Sequence, residues 1–247
     1  MKGMRIIDQP IAMFKGETFA MGTTIAALNV PLGVAEVNVY DPAADFRMQL
    51  GPPLDMCCRT ADNEKSFNDY TDAAKDRSTS TLVEFNGMDT AANGDYFYLA
   101  SRYKFAGATV DIATANATAS VMTGYYWDGS NWTLVTVTDG TGGATCLSTD
   151  GNLTFTVPAG WKPRSLNGKD GLYVLRLQVD AQVDDPTTAY TIGLLPDTTA
   201  DAPGYFESAT VYTFTLDKAQ VGTLCSYVAS GTGTEYITWM KHNRTDT

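Results

Sequence analysis

The chain has 247 residues, of which 44% are hydrophobic and only 18% charged, a balance typical of proteins built from strands and turns. Its formal net charge of −11 argues against nucleic-acid binding, which needs clustered Lys and Arg, and against anionic membrane surfaces. Charges interrupt the first 22 residues, and no stretch has the apolar length of a signal peptide or membrane span. We therefore expect synthesis and assembly in a cytoplasm.

The start of the chain shows little strand alternation. Residues 1–24 contain several glycines and methionines, which favours an N-terminal arm whose order depends on a neighbour. Strand patterns begin at "TIAALNV" and "VAEVNVY", where the predicted β-sandwich domain of residues 25–190 starts. Pro52 and Pro53 interrupt the run that follows.

Residues 62–81 form a polar and acidic stretch. Its aspartates raise the alternative of a calcium site, but they lack the alternating acids, central glycine and closing glutamate of an EF-hand loop. A solvated connection is the preferred interpretation, and the sequence predicts no metal and no cofactor.

The strand pattern is strongest from residue 95 onward. Short segments with alternating apolar residues are separated by Gly, Asn, Asp and Pro turns: "DYFYLAS", "ATVDIAT", "SVMTGYYW", "WTLVTVT", "NLTFTVP" and "GLYVLRLQVDA". The last of them places Tyr173, Leu175, Leu177 and Val179 on one face. No amphipathic segment of helix length interrupts this series, so we predict an all-β protein, an antiparallel β-sandwich of jelly-roll type.

The tail of the chain also contains strand patterns, such as "VYTFTL" at 211–216. Residues 191–247 are predicted to be C-terminal strands or an extension. Such strands either complete an edge of the sandwich or pair with a neighbouring subunit.

Residue types that carry catalysis are poorly placed in this chain. The single histidine, His242, lies five residues before the C-terminal residue 247, so a catalytic triad would depend on a chain end. The four cysteines show no CxxC spacing, which favours free, partly buried thiols over a zinc site or a disulfide framework. The glycine-rich "GTGG" at 140–143 lacks the phosphate-binding lysine pattern. We therefore predict that the protein is not an enzyme.

An aromatic hairpin is the one binding candidate. Tyr125, Trp127 and Trp132 flank the turn "DGSN", with Asp128 and Asn131 beside them. Aromatic faces next to Asp and Asn side chains are typical of glycan platforms, whereas aromatic pairs across a hairpin commonly pack and fix its register. Both interpretations stay open, and packing is the preferred one.

Three segments taken in order resemble a β-sandwich found in structural proteins of tailed bacteriophages: "NGDYFYLASRYKFAGATVDI", "YYWDGSNWTLVTVTDGT" and "LTFTVPAGWKPRSLNGKDGLYVLRLQVDA". The shared features are a Tyr-rich strand, a Trp-flanked hairpin, Val-Pro-x-x-Trp and Tyr-x-x-Arg. The similarity spans residues 84–182. The hairpin also resembles galactose-binding-like domains, which keeps the carbohydrate-binding alternative open.

The resemblance implies a virion structural protein that assembles in the host cytoplasm. The role expected from it is an accessory capsid decoration or cement protein, a homo-oligomer that binds the major capsid protein and neighbouring copies. A tail, neck or baseplate protein is the alternative, and a carbohydrate-binding module of a receptor-binding protein is another. The resemblance brings no catalytic residues. It implies that Trp161 is a packed indole and that Arg176 is a partly buried guanidinium paired with an acidic neighbour.

Overall fold

The computed structural model describes residues 51–76 and 78–197 throughout, and it describes the backbone of eight further strands within 12–50 and 205–241. Four of these strands precede the central part of the chain. They are β1 (Ala12–Met21), β2 (Ala26–Asn29), β3 (Val34–Tyr40) and β4 (Phe46–Leu50).

The central part of the chain alternates short strands with turns. Its elements are β5 (Met56–Thr60), β6 (Asn68–Asp69), helix α1 (Ala73–Asp76), β7 (Val83–Glu84), a 3-10 turn (Ala91–Asn93), β8 (Tyr96–Ser101), β9 (Gly107–Thr114), β10 (Met122–Trp127), β11 (Trp132–Val135), β12 (Thr138–Asp139), β13 (Gly151–Thr154), β14 (Arg164–Leu166), β15 (Lys169–Val179) and β16 (Thr188–Leu195). Four strands follow: β17 (Tyr205–Phe206), β18 (Tyr212–Thr215), β19 (Thr223–Val228) and β20 (Gly233–Lys241).

Strands β5 to β16 form two sheets with antiparallel ladders. The first has seven strands in the order β11-β10-β15-β8-β5-β6, with β14 paired to β15, and the second has five in the order β12-β13-β9-β16-β7. Buried side chains from both sheets join one main core. The predicted all-β antiparallel sandwich is therefore confirmed.

The alternation predicted for the longest central strand is also confirmed. In β15, Leu175, Leu177 and Val179 belong to the main core, while Leu172 and Val174 contribute to a smaller cluster on the other face of the seven-stranded sheet. Both faces of this sheet are therefore covered by side chains.

The terminal strands form two further four-stranded sheets. One has the order β1-β20-β3-β18 and the other β17-β4-β19-β2. Strand β4 ends at Leu50 and pairs with β17, which begins at Tyr205. Strands β5 to β16 are therefore inserted in the sequence between β4 and β17, two strands that are direct neighbours in one terminal sheet.

Within the predicted N-terminal arm of residues 1–24, residues 12–21 are strand β1, paired with β20. Residues 191–247, predicted to be strands or an extension, contain β17 to β20 and the end of β16. The predicted domain boundaries at residues 24 and 190 stay predictions. Among the described residues, no helix has the length and apolar character needed to cross a bilayer.

Candidate functional site

The predicted aromatic hairpin is formed by β10 and β11, in which Trp127 and Trp132 are directly opposite each other. Both indoles are half-buried. Their ring centroids are 5.6 Å apart and the ring planes meet at 72°, the edge-to-face arrangement that aromatic pairs prefer. The two rings therefore do not make one flat surface.

The turn of the hairpin is organised by the Asp128 carboxylate. Its Oδ1 accepts the backbone N–H groups of Ser130 and Asn131, each at 2.8 Å, and its Oδ2 accepts the Thr133 hydroxyl at 2.9 Å. These hydrogen bonds to the charged form hold the pKa of Asp128 below its usual value. Asp128 acts as a turn cap, and the side chains of Ser130 and Asn131 in this turn are exposed to solvent.

Arg164 covers the two tryptophans. Its guanidinium carbon lies 5.1 Å from the Trp127 ring centroid and 4.8 Å from that of Trp132. Cation–π contacts of this kind contribute more where water is excluded. The arginine comes from β14, so the hairpin is held against a later strand of the chain. Arg164 therefore occupies ring surface that a glycan would use.

Arg176 lies at the centre of the same face. Its guanidinium carbon is 4.5 Å from the Tyr96 ring centroid, 4.9 Å from that of Tyr125 and 4.6 Å from that of Trp132. Burial is the main cause of a lowered pKa for this arginine. Among the described residues, no carboxylate lies within ion-pair distance of Arg176. Arg176 is partly buried, as the resemblance implies, but its guanidinium contacts three aromatic rings where an acidic neighbour was expected.

The acidic partner on this face belongs to Arg164 instead. Glu64 receives two hydrogen bonds from the Arg164 guanidinium, at 3.2 and 2.8 Å, and a third from the Tyr98 hydroxyl at 2.7 Å. Tyr98 is fully buried, and burial together with the Glu64 charge raises its pKa well above the usual value. Glu64 therefore ties the loop after β5 onto the sheet face.

We call this set the outer aromatic layer: Glu64, Tyr96, Tyr98, Tyr125, Trp127, Trp132, Arg164 and Arg176. The sequence prediction found three of its rings, Tyr125, Trp127 and Trp132, and the structure brings these together. It missed Tyr96, Tyr98, Glu64 and Arg164 as members. The alternation of "DYFYLAS" places Tyr96 and Tyr98 on one face, but no local signal pairs Glu64 with Arg164, which are far apart in sequence.

Trp161 is confirmed as a packed indole. It is 1% exposed, and its ring meets Phe105 at 4.9 Å, Phe155 at 5.8 Å and Tyr173 at 5.9 Å between centroids, each edge to face. This cluster lies in the main core, on the opposite face of the seven-stranded sheet from the outer aromatic layer.

Three of the four aspartates in residues 62–81, Asp62, Asp69 and Asp76, accept hydrogen bonds from backbone N–H groups of nearby residues. Asp62 accepts backbone N–H groups of Lys65 and Ser66 at 3.0 and 2.9 Å and hydroxyl groups of Thr60 and Ser66 at 2.7 and 2.6 Å. These bonds lower its pKa to about 2. Asp76 similarly accepts the backbone N–H of Ser78. In the part of the chain that the structure describes, no group of three or more His, Cys, Asp or Glu residues is arranged to hold a metal ion.

The described cysteines are free thiols, Cys57 and Cys146 in the main core and Cys58 in the smaller cluster on the outer face of the seven-stranded sheet. Cys57, Cys58 and Cys146 are fully buried, and burial raises the pKa of Cys146 to about 11. The side chain of Cys225 and all of His242 lie outside the described residues. The "GTGG" segment lies in the connection between β12 and β13, a turn as predicted.

No known protein family, curated protein or solved structure matches this chain.

Proposed function

We propose that the protein is a non-enzymatic structural protein of a tailed-bacteriophage virion, an accessory decoration or cement protein that binds the major capsid protein and neighbouring copies. The observation that carries this proposal is the pairing of the terminal strands. The resemblance of residues 84–182 to phage structural proteins supports it independently.

The terminal strands pair in a nested series. Strand β1 pairs with β20, β2 with β19, β3 with β18 and β4 with β17. Successive strands alternate between the two four-stranded sheets. A long antiparallel hairpin wound over two sheets produces this order, and we infer from it an eight-stranded jelly roll, an architecture that recurs in viral capsid proteins.

The position of the central sandwich fits a decoration role. It is inserted between β4 and β17, the innermost pair of the nested series. The terminal sheets would then supply the contact with the capsid and with neighbouring copies, while the sandwich would extend from the tip of the hairpin. The net charge of −11 favours solubility before assembly.

The protein content of purified particles tests the proposal. Quantitative gel analysis should find many copies of the chain in each particle, as expected for a decoration protein that covers the capsid. A tail, neck or baseplate protein that forms a ring would be present in few copies. Absence of the chain from particles would overturn both roles.

A deletion then tests the contact surface. Removing residues 1–22 eliminates β1, which we expect to weaken incorporation while the central sandwich keeps its circular dichroism signal. A matched control variant is Tyr103→Ser, which changes a side chain of the central sandwich that is 63% exposed. Equal incorporation of the deletion and the wild type would remove β1 from the capsid contact.

A carbohydrate-binding module is the second candidate function. The observation in its favour is that Tyr125, Trp127 and Trp132 keep partly exposed rings on one sheet face. Against it, the Asp128 carboxylate is used by its own turn and Arg164 covers both indoles. Loss of glycan binding in Trp127→Ala at unchanged melting temperature would support this candidate.

A further inference from the structure

The strand registers define two ends of the central sandwich. The chain enters at the start of β5, and Met56 pairs with Ala100 of β8, whereas Thr60 pairs with Tyr96. Tyr96 therefore lies at the end of the sheet remote from the entry point. We call that end distal and the entry end proximal.

The aromatic hairpin lies at the proximal end. Tyr173 of β15 pairs with Ser101, next to the entry, and β10 runs antiparallel to β15 from Met122 opposite Val179 to Tyr126 opposite Leu175. The turn after Trp127 is therefore on the side of the terminal sheets. Loops other than the aromatic hairpin therefore form the distal end of the seven-stranded sheet.

A groove lies between two of these distal loops. It has a volume of about 310 Å³, at the lower end of the range for small-molecule sites. One wall consists of Asp62, Asn63 and Lys65, and the other consists of the turn at 91–94 and Tyr96. We call it the distal groove.

The two walls are fixed relative to each other. The Asn63 backbone N–H donates to the Gly94 carbonyl at 3.0 Å, and a Cβ at position 94 would lie 2.8 Å from the Asn63 nitrogen. Asn63 and Glu64 both have positive φ, 59° and 67°. Such backbone conformations persist where the surroundings enforce them, and here Glu64 is held by Arg164 and Tyr98. A ligand would meet a preformed groove and would lose less entropy on binding.

The chemistry of the walls suits an uncharged, hydroxyl-rich ligand. The one acidic and the one basic side chain of the groove, Asp62 and Lys65, balance in charge. The Asp62 oxygens already accept four hydrogen bonds, whereas none of the described residues bonds to the Asn63 carboxamide. Arg176 lies over one face of the Tyr96 ring, and the part of Tyr96 that lines the groove joins two alanine methyl groups in an apolar strip for the C–H face of a sugar.

We propose that the distal groove binds a neutral saccharide, with the Asn63 carboxamide and Lys65 ammonium bonding its hydroxyl groups and the Tyr96 ring contacting its C–H face. This site is separate from the aromatic hairpin. It does not depend on the virion role, so either proposal can fail without the other.

The test uses the full chain on an array of neutral glucose-, galactose- and mannose-containing oligosaccharides together with sialylated ones, followed by calorimetric titration of the best neutral binder. Asn63→Gly removes the carboxamide and tolerates the positive φ. Loss of one such hydrogen bond should weaken binding about tenfold. Tyr96→Leu should also weaken it, and circular dichroism should show both variants folded.

Tyr103→Ser, which changes an exposed side chain just after β8 at the proximal end, is the matched control and should bind as the wild type does. Three outcomes would overturn the proposal: no binding to any neutral oligosaccharide, binding only to sialylated ones, or binding that Trp127→Ala abolishes and Asn63→Gly leaves intact.

Discussion

The two faces of the seven-stranded sheet use aromatic residues in different ways. On the inner face, Trp161 is enclosed by Phe105, Phe155 and Tyr173 and is stabilised by the apolar area that it removes from water. On the outer face, the rings alternate with guanidinium groups, and Glu64 holds a loop over them. The inner face depends on two sheets closing together, whereas the outer face depends on one loop and two arginines.

Trp161→Ala is expected to have the largest effect of the changes considered. Emptying a site of this size in a closed core should lower the free energy of unfolding of the sandwich by about 3–5 kcal/mol. Chemical denaturation followed by circular dichroism measures it. Trp161→Phe is the control and should cost clearly less, because the Trp161 Nε1 has no hydrogen-bond partner to lose. Equal losses of unfolding free energy in the two variants would mean that the core is not tightly packed around the indole.

Trp132→Ala tests the outer face. The ring is half-buried, and its removal uncovers Tyr98 and both arginines. We expect the free energy of unfolding to fall by about 2 kcal/mol, because the partial burial of the ring and its cation–π contacts are lost. A loss as large as that of Trp161→Ala, measured in the same denaturation experiment, would contradict the difference between the two faces.

The inner face was the more predictable one. Alternation in "GLYVLRLQVDA" identifies the core side of β15, since a strand with a two-residue period places Leu175, Leu177 and Val179 together. Trp161 lies outside any strand and was placed through the resemblance. The predicted alternation through Phe155 and Val157 extends beyond β13, which ends at Thr154, although Phe155 is buried in the core.

The outer face and the terminal sheets were less predictable because their contacts join distant segments. Arg164 and Glu64 are 100 residues apart, and β1 pairs with β20 at the other end of the chain. Periodicity reports which side of a strand is buried but not which strand lies beside it. The Trp127 and Trp132 pairing was predictable, because a four-residue turn fixes which residues of a hairpin are opposite each other.

The Glu64 and Arg164 pair provides a smaller test of the outer face. A double-mutant cycle with Glu64→Gln and Arg164→Met should give a coupling energy of about 1 kcal/mol, because the side chains are partly exposed, 25% and 19%. The measurement is the denaturation midpoint of the four proteins at low salt and at high salt. Coupling that is zero at both salt concentrations would show that the loop is held by other contacts.

Tyr98 gives the smallest expected effect and tests how completely the outer face excludes water. Its pKa is raised in the folded state by burial and by Glu64, whereas in the unfolded chain it is about 10. The folded state therefore retains the Tyr98 proton at a pH where the unfolded state loses it, so this contribution to stability is complete below pH 10 and decreases above it. At pH 10.5 the free energy of unfolding should have fallen by about 0.8 kcal/mol from this group alone.

The matched variant for this measurement is Tyr98→Phe, which keeps the ring and removes the titrating hydroxyl. Other tyrosines and the lysines titrate in both proteins, so only the difference between the two denaturation curves from pH 8 to pH 10.5 reports on Tyr98. We expect the wild type to lose stability more steeply than the variant. Parallel curves would mean that the Tyr98 hydroxyl reaches solvent in the folded protein, and the outer layer would then be a loose surface cluster rather than a second, sealed core.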